Sequence, residues 1–169
     1  KGLVFEELSD IGQAIIAHRT VLKLGDSKDP LVESSREILD EYEYILKEQG
    51  TTPDGYIRAR DVFELAVAAM GKYKWEEAIS GFRKTLSLFS RHVPSYGNIG
   101  ICNGYLGRKK EALEALAKAL EIDPLYGPAL ANRELIKNLK KGEKLSGKLN
   151  IIDFYQEQSD AINDQGLPI

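Results

Sequence analysis

The chain has 169 residues, 43% of them hydrophobic and 29% charged, with a formal net charge of −3 at pH 7. This size permits a buried core, and the acidic balance argues against a general role in gripping nucleic-acid backbones, which needs a basic surface. The single cysteine excludes an intramolecular disulfide, and no apolar run approaches the roughly 20 residues of a membrane-spanning helix. We therefore expect a cytoplasmic protein without nucleic-acid or membrane partners.

The first predicted elements are two helices. Apolar residues recur at helical spacing over residues 8–22 and again over residues 31–45, and turn-forming sequences follow each segment. Asp29, Ser34 or Thr52 can cap the helices that begin near Pro30 and Pro53. We predict an N-terminal accessory helical pair over residues 1–52, which either stacks against the rest of the chain or forms an independent appendage.

The next predicted helices form two copies of one pattern. KYKWEEAISGFRKTLSLFS begins at Lys72, GRKKEALEALAKALEIDP begins at Gly107, and one constant spacing, which we call the repeat offset, aligns the surrounding sequence. The repeat offset pairs Val62 with Tyr96, Leu65 with Ile99, Ala66 with Gly100, Ala78 with Ala112, Phe82 with Leu116, Thr85 with Ala119 and Leu86 with Leu120. Because small residues permit close helix approach and large ones fill the gaps, the pattern predicts a helical repeat.

This pattern resembles the tetratricopeptide repeat (TPR), a family of helix-turn-helix units whose period equals the repeat offset. The likeness is best from Tyr96 to Pro124, with Gly107 at the turn between two helices. The first copy departs from the family pattern at Val62, at Ala66, at Thr85 and at Ser90, the last of which stands where the family has a proline. The resemblance implies an all-α fold, an α-solenoid of TPR-like repeats with flanking helices. On this interpretation residues 53–142 hold two repeats and a capping helix that runs from about Leu125 to Lys141.

The resemblance also implies a binding groove, because the first helices of successive TPR units line a concave surface that holds a partner. Carried over by register, the groove is lined by Phe63, Val67, Met70, Asn98, Ile101, Tyr105, Asn132 and Leu135. Only Asn98 falls on a position of the family's two-carboxylate clamp, so a clamp is not expected on this mostly apolar wall. The alternatives are that the apolar residues belong to the core and that Asn98 and Asn132 form inter-helix hydrogen bonds.

The predicted C-terminal element, residues 143–169, is an acidic amphipathic tail or helix. Its carboxylates recur at helical spacing, and from Leu149 to the end it carries no basic side chain. The acidic residues are Asp153, Glu157, Asp160 and Asp164. We predict that this tail docks on the repeats of the same molecule or of a second copy. The alternative is an ordinary last helix or a frayed end.

A catalytic or metal-binding arrangement is not expected. His18 and His92 are the only histidines, the glycines of GNIGICNG lack the lysine of a phosphate loop, and no calcium-loop spacing occurs. Basic residues near Lys140 would suit an anionic partner, but they also suit a helix C-terminus, which we favour. We therefore predict a protein-protein interaction scaffold with no catalytic residue, cofactor or metal. The alternatives are an accessory or regulatory domain of a larger protein, or a self-associating structural module.

Overall fold

The computed structural model describes residues 3–146, with side chains from residue 11 onward. The fold is all-α, as predicted, and the described residues form seven helices and no strand. They are α1 (Leu3–Leu24), α2 (Pro30–Glu48), α3 (Pro53–Gly71), α4 (Trp75–Leu88), α5 (Val93–Leu106), α6 (Lys109–Ile122) and α7 (Gly127–Asn138). Residues 147–169 of the predicted C-terminal element lie outside the described residues, so its docking stays a prediction. Within residues 3–146, no helix is long and apolar enough to cross a membrane.

The described residues divide into two compact units, one ending at Glu43 and the other beginning at Tyr44. In the first unit α1 and α2 are linked by a hydrogen bond between His18 Nδ1 and Ser35 Oγ, 3.1 Å apart. Its buried apolar side chains are Ile11, Ile15 and Val32. The predicted N-terminal helices are therefore confirmed as helices, while their stacking against the repeats stays a prediction.

Two of the predicted caps are confirmed. The backbone N–H of Leu31 donates to Asp29 Oδ1 at 2.9 Å, and the N–H of Gly55 donates to Thr52 Oγ1 at 3.0 Å. These side chains satisfy donors that a helix N-terminus leaves without an intrahelical partner. The starts of α2 and α3 are thus determined by local sequence.

The helices of the second unit recur with the period that the sequence predicts. α6 begins and ends one repeat offset after α4, and α7 begins one repeat offset after α5. α3 packs against α4, α5 packs against α4 and α6, and α7 packs against α6 and α5. The architecture is therefore that of consecutive helix pairs with a common spacing.

The turns inside the two helix pairs also match, although their residues differ. Gly107 follows α5 in the left-handed conformation with φ 78°, and the residue one repeat offset earlier, Tyr73, has φ 59°. Both amides close the same hydrogen bond, from Tyr73 to the Met70 carbonyl at 2.9 Å and from Gly107 to the Gly104 carbonyl at 3.1 Å. Because a left-handed tyrosine is unfavourable on its own, the surrounding packing imposes this turn.

The core residues of the second helices are equivalent in the two pairs. Ala78 and Ala112 are fully buried, as are Phe82 and Leu116. One predicted pair departs from this rule: Ile99 is buried, whereas Leu65 is 73% exposed. The difference follows from position, because α5 packs against both α4 and α6, whereas within this unit α3 packs extensively only against α4. Two residues at equivalent repeat positions, Leu65 and Ile99, can therefore differ in burial.

The helix predicted from Leu125 to Lys141 is shorter in the structure. α7 ends at Asn138, and residues 139–146 continue without regular structure. The backbone N–H of Leu145 donates to the Gly104 carbonyl at 3.0 Å, and its side chain packs beside the position that a Cβ on Gly104 would occupy. This non-helical segment covers the side of α5 near its C-terminus.

Candidate functional site

The candidate surface is centred on one face of α5. Asn98, Ile101 and Tyr105 follow one another at helical spacing and are all half-buried, whereas Cys102 and Asn103 between them are buried. Residues three and four positions apart share a face of a helix. Three of the predicted groove residues therefore lie together on the partly accessible side of α5.

The C-terminal part of this surface comes from α7, which packs against α5. Leu135 is 59% exposed, and Asn132 is half-buried. Asn132 Nδ2 donates to the Pro128 carbonyl at 2.7 Å within its own helix, and no hydrogen bond joins the Asn98 side chain to another described residue. The alternative of inter-helix hydrogen bonds is therefore wrong for Asn132.

The contribution of α3 differs from the predicted one. Phe63 and Met70 are buried, while Val67 is half-buried. The ring centroid of Phe63 lies 5.5 Å from that of Phe82 and 4.8 Å from that of His92. Two of the eight predicted groove residues thus belong to the core. Phe63 packs against Phe82 of α4 and His92 of the following connection, and Met70 is only 5% exposed, so a partner cannot reach either side chain in this structure.

An aromatic stack borders the candidate surface, and the sequence analysis did not predict it. The rings of Trp75 and Tyr105 are parallel within 11°, with centroids 4.4 Å apart, and Tyr73 meets Trp75 edge-on at 5.6 Å. Burial, with a smaller contribution from Tyr73, raises the pKa of Tyr105 above its ordinary value. Trp75 and Tyr105 stand on different helices at no repeat-related spacing, so only the local richness in aromatic residues hinted at this contact.

An ion pair lies beside the aromatic stack. Arg108 donates a hydrogen bond to Glu76, joining the start of α4 to the turn after α5. This hydrogen bond lowers the pKa of the Glu76 carboxyl below its ordinary value. Both side chains are largely exposed, so the pair adds little stability and mainly defines the polar border of the surface.

A second surface is a shallow depression of about 670 Å³ at the turn between α5 and α6. Arg108, Lys109, Lys110 and Lys141 line it together with Glu111. Lys109 Nζ donates to the carbonyls of Lys137 and Leu139, at 2.7 and 2.5 Å. The expected cation at the helix C-terminus is present as Lys137 in the last turn of α7, and the sequence-distant Lys109 adds a second one that hydrogen-bonds the carbonyls.

Reactive groups are enclosed in this region. Burial raises the pKa of the Cys102 thiol to about 12, and the thiol is fully buried on the inner side of α5. Among the side chains that the structure describes, those of residues 11–146, no three from His, Cys, Asp and Glu come together as a metal site. The accessible face of α5 and α7 therefore presents apolar side chains, the amides of Asn98 and Asn132, and the aromatic stack at its border.

No protein-family model matches the chain, and no curated protein matches it.

Proposed function

We propose that this chain is a TPR-like α-helical repeat protein that binds a peptide or protein partner and performs no catalysis itself. The observation that carries the proposal is the recurrence of backbone hydrogen bonds at the repeat offset. The Lys74 amide bonds to the Ala69 carbonyl at 3.0 Å, and the Arg108 amide bonds to the Asn103 carbonyl at 2.9 Å. Such recurrence is typical of stacked repeat units, whose faces commonly bind other proteins.

The partner surface of this proposal is smaller than the one predicted from sequence. It consists of Val67, Asn98, Ile101, Tyr105, Asn132 and Leu135, of which the first is the only contribution from α3. Apolar side chains supply area that loses water on binding, and amides can hydrogen-bond the backbone of an extended peptide. This composition favours a partner with apolar side chains over an acidic terminus.

A peptide-library selection against the intact chain tests the proposal. The disabled variant carries Asn98→Ala and Leu135→Ser, which leave the Trp75–Tyr105 stack intact. Its matched control carries Leu125→Ser, because Leu125 is 86% exposed in the connection before α7. Trp75 is the only tryptophan and lies against Tyr105, so its fluorescence can report binding.

We expect selected peptides to bind the intact chain and the control equally, and the disabled variant at least about tenfold more weakly, a difference of about 1.4 kcal/mol. Circular dichroism should show the same helix content for all three. Equal binding by the disabled variant would place recognition elsewhere on the molecule, and failure to select any peptide would count against a peptide groove.

A further inference from the structure

His92 occupies the joint between the helix pairs α3–α4 and α5–α6. It follows the end of α4 and is the N-cap of α5. The centroid of its ring lies 4.8 Å from that of Phe63 on α3 and 5.3 Å from that of Phe89 after α4. One imidazole therefore contacts α3, the C-cap residue of α4 and the start of α5.

The positions equivalent to His92 and Phe63 are also in contact at the next joint, which precedes α7. Tyr126 lies one repeat offset after His92 and caps α7, and its ring lies against Gly97, which is one repeat offset after Phe63. The aromatic cap is thus a recurring contact between consecutive elements. Only the first joint carries a side chain that gains a positive charge in acid, because a tyrosine cannot.

The imidazole also supports the start of α5 directly. The backbone N–H of Ser95 donates to His92 Nδ1 at 3.3 Å, in addition to the His92 carbonyl at 3.1 Å, and Ser95 Oγ lies 2.8 Å from Nδ1. An accepting Nδ1 requires the neutral ring with its proton on Nε2. A second proton, taken up at Nδ1, removes this acceptor and places a positive charge at the positive end of the helix dipole.

Among the described residues, no charged group offsets the effect of burial on the ring. Burial alone lowers the pKa of His92 from 6.5 to about 4. The charged groups of the neighbouring elements, the Arg60–Glu64 ion pair on α3 and Arg91 beside the ring in sequence, do not contribute to this shift. The folded joint therefore binds the second proton more weakly than an unfolded chain does.

We propose that His92 makes this joint pH-sensitive: the neutral ring holds the start of α5 against α3 and α4, and its protonation opens the joint while the helices remain folded. Because the neutral form is the one favoured by folding, the contact is at full strength above about pH 6.5 and is lost as the pH falls toward 4. This proposal does not depend on the binding of a partner to the candidate surface.

The test is an acid titration of the full chain between pH 7.5 and 3.5, followed by the Hε1 resonances of both histidines, Trp75 fluorescence and far-UV circular dichroism. Trp75 stacks on Tyr105 across the same two helix pairs. The key variant is His92→Asn, since asparagine is a favourable N-cap that does not titrate. His18→Asn is the matched control, because it removes the only other histidine.

We expect wild type and His18→Asn to share a Trp75 transition whose midpoint matches the His92 titration below pH 5.5, while the dichroism stays at its neutral value. His92→Asn should lack this transition. Persistence of the transition in His92→Asn, a His92 midpoint near 6.5, or loss of helix signal at the same pH would overturn the proposal. The wild-type coincidence of the two midpoints remains decisive even if His92→Asn does not fold.

Discussion

At the scale of single residues, Lys109 shows how a distant side chain can complete a helix end. Its ammonium donates to two carbonyls at the C-terminus of α7, those of Lys137 and Leu139. The last carbonyls of a helix lack intrahelical donors, and a cation there also meets the negative end of the dipole. The neighbouring Lys110 is exposed and forms only a loose pair with Glu114, 3.8 Å apart.

Lys109→Met keeps the aliphatic stem but removes both hydrogen bonds, so we expect a loss of about 1–2 kcal/mol in the free energy of unfolding. Lys110→Met is the control and should change this free energy by less than about 0.5 kcal/mol. Urea unfolding followed by circular dichroism measures both. Identical midpoints for the two variants would show that Lys109 does not stabilise α7.

At the scale of elements, the close approach of α3 and α4 depends on a pair of small residues. A Cβ added to Gly81 would lie 2.6 Å from Ala66 Cβ and 3.2 Å from Ala66 Cα. The alanine at position 66 was a departure from the repeat pattern, which has glycine there, and the facing Gly81 explains why it is tolerated. In the second pair the glycine lies on the first helix, as Gly100, and position 115 is alanine.

Gly81→Ala should therefore force the two helices apart, because the clashing atoms belong to a buried alanine and its backbone. Overpacking lowers the free energy of unfolding by about 1–3 kcal/mol, and the better helix propensity of alanine raises it by at most about 1 kcal/mol. We therefore expect a net decrease of about 1–2 kcal/mol in the free energy of unfolding. Gly127→Ala is the matched control, since a Cβ there meets nothing within 4 Å.

Thermal and urea unfolding should show opposite effects of the two alanine substitutions on stability. Gly81→Ala should be destabilising, whereas Gly127→Ala is expected to be neutral or slightly stabilising. A Gly81→Ala protein as stable as wild type would mean that α3 and α4 can move apart at no cost, which would contradict the close packing.

At the scale of the whole molecule, the unit from Tyr44 onward is held together by contacts between successive helix pairs. Leu116 is fully buried in a cluster that includes Val93, Ala129 and Ile136, so it joins α5, α6 and α7. The Trp75–Tyr105 stack joins the first pair to the second. Nearest-neighbour contacts of this kind make the stability of one pair depend on the next.

Leu116→Ala should lower the free energy of unfolding by about 2–5 kcal/mol through lost burial and a residual cavity. Because Trp75 reports on the first pair, its fluorescence midpoint in urea should fall together with the circular dichroism midpoint. An unchanged Trp75 midpoint would indicate that the helix pairs unfold independently.

The sequence alone determined the helical class, the starts of α2 and α3, and the register. Caps such as Asp29 and Thr52 act on amides two or three residues away, and the repeat offset is carried by side chains that meet within one helix pair. Local chemistry and a short-range pattern suffice for such features, which is why α2 to α6 and the turn at Gly107 were predictable.

Only the tertiary structure decided which members of the pattern a partner can reach. Phe63 and Met70 carry the same groove register as Val67 but are buried, and Leu65 is exposed although its equivalent Ile99 is not. The stack of Tyr105 on Trp75 and the lowered pKa of His92 likewise depend on residues brought together from different helices. Burial and proton affinity are properties of a neighbourhood in space, and a one-dimensional pattern specifies the face of a helix without specifying what covers it.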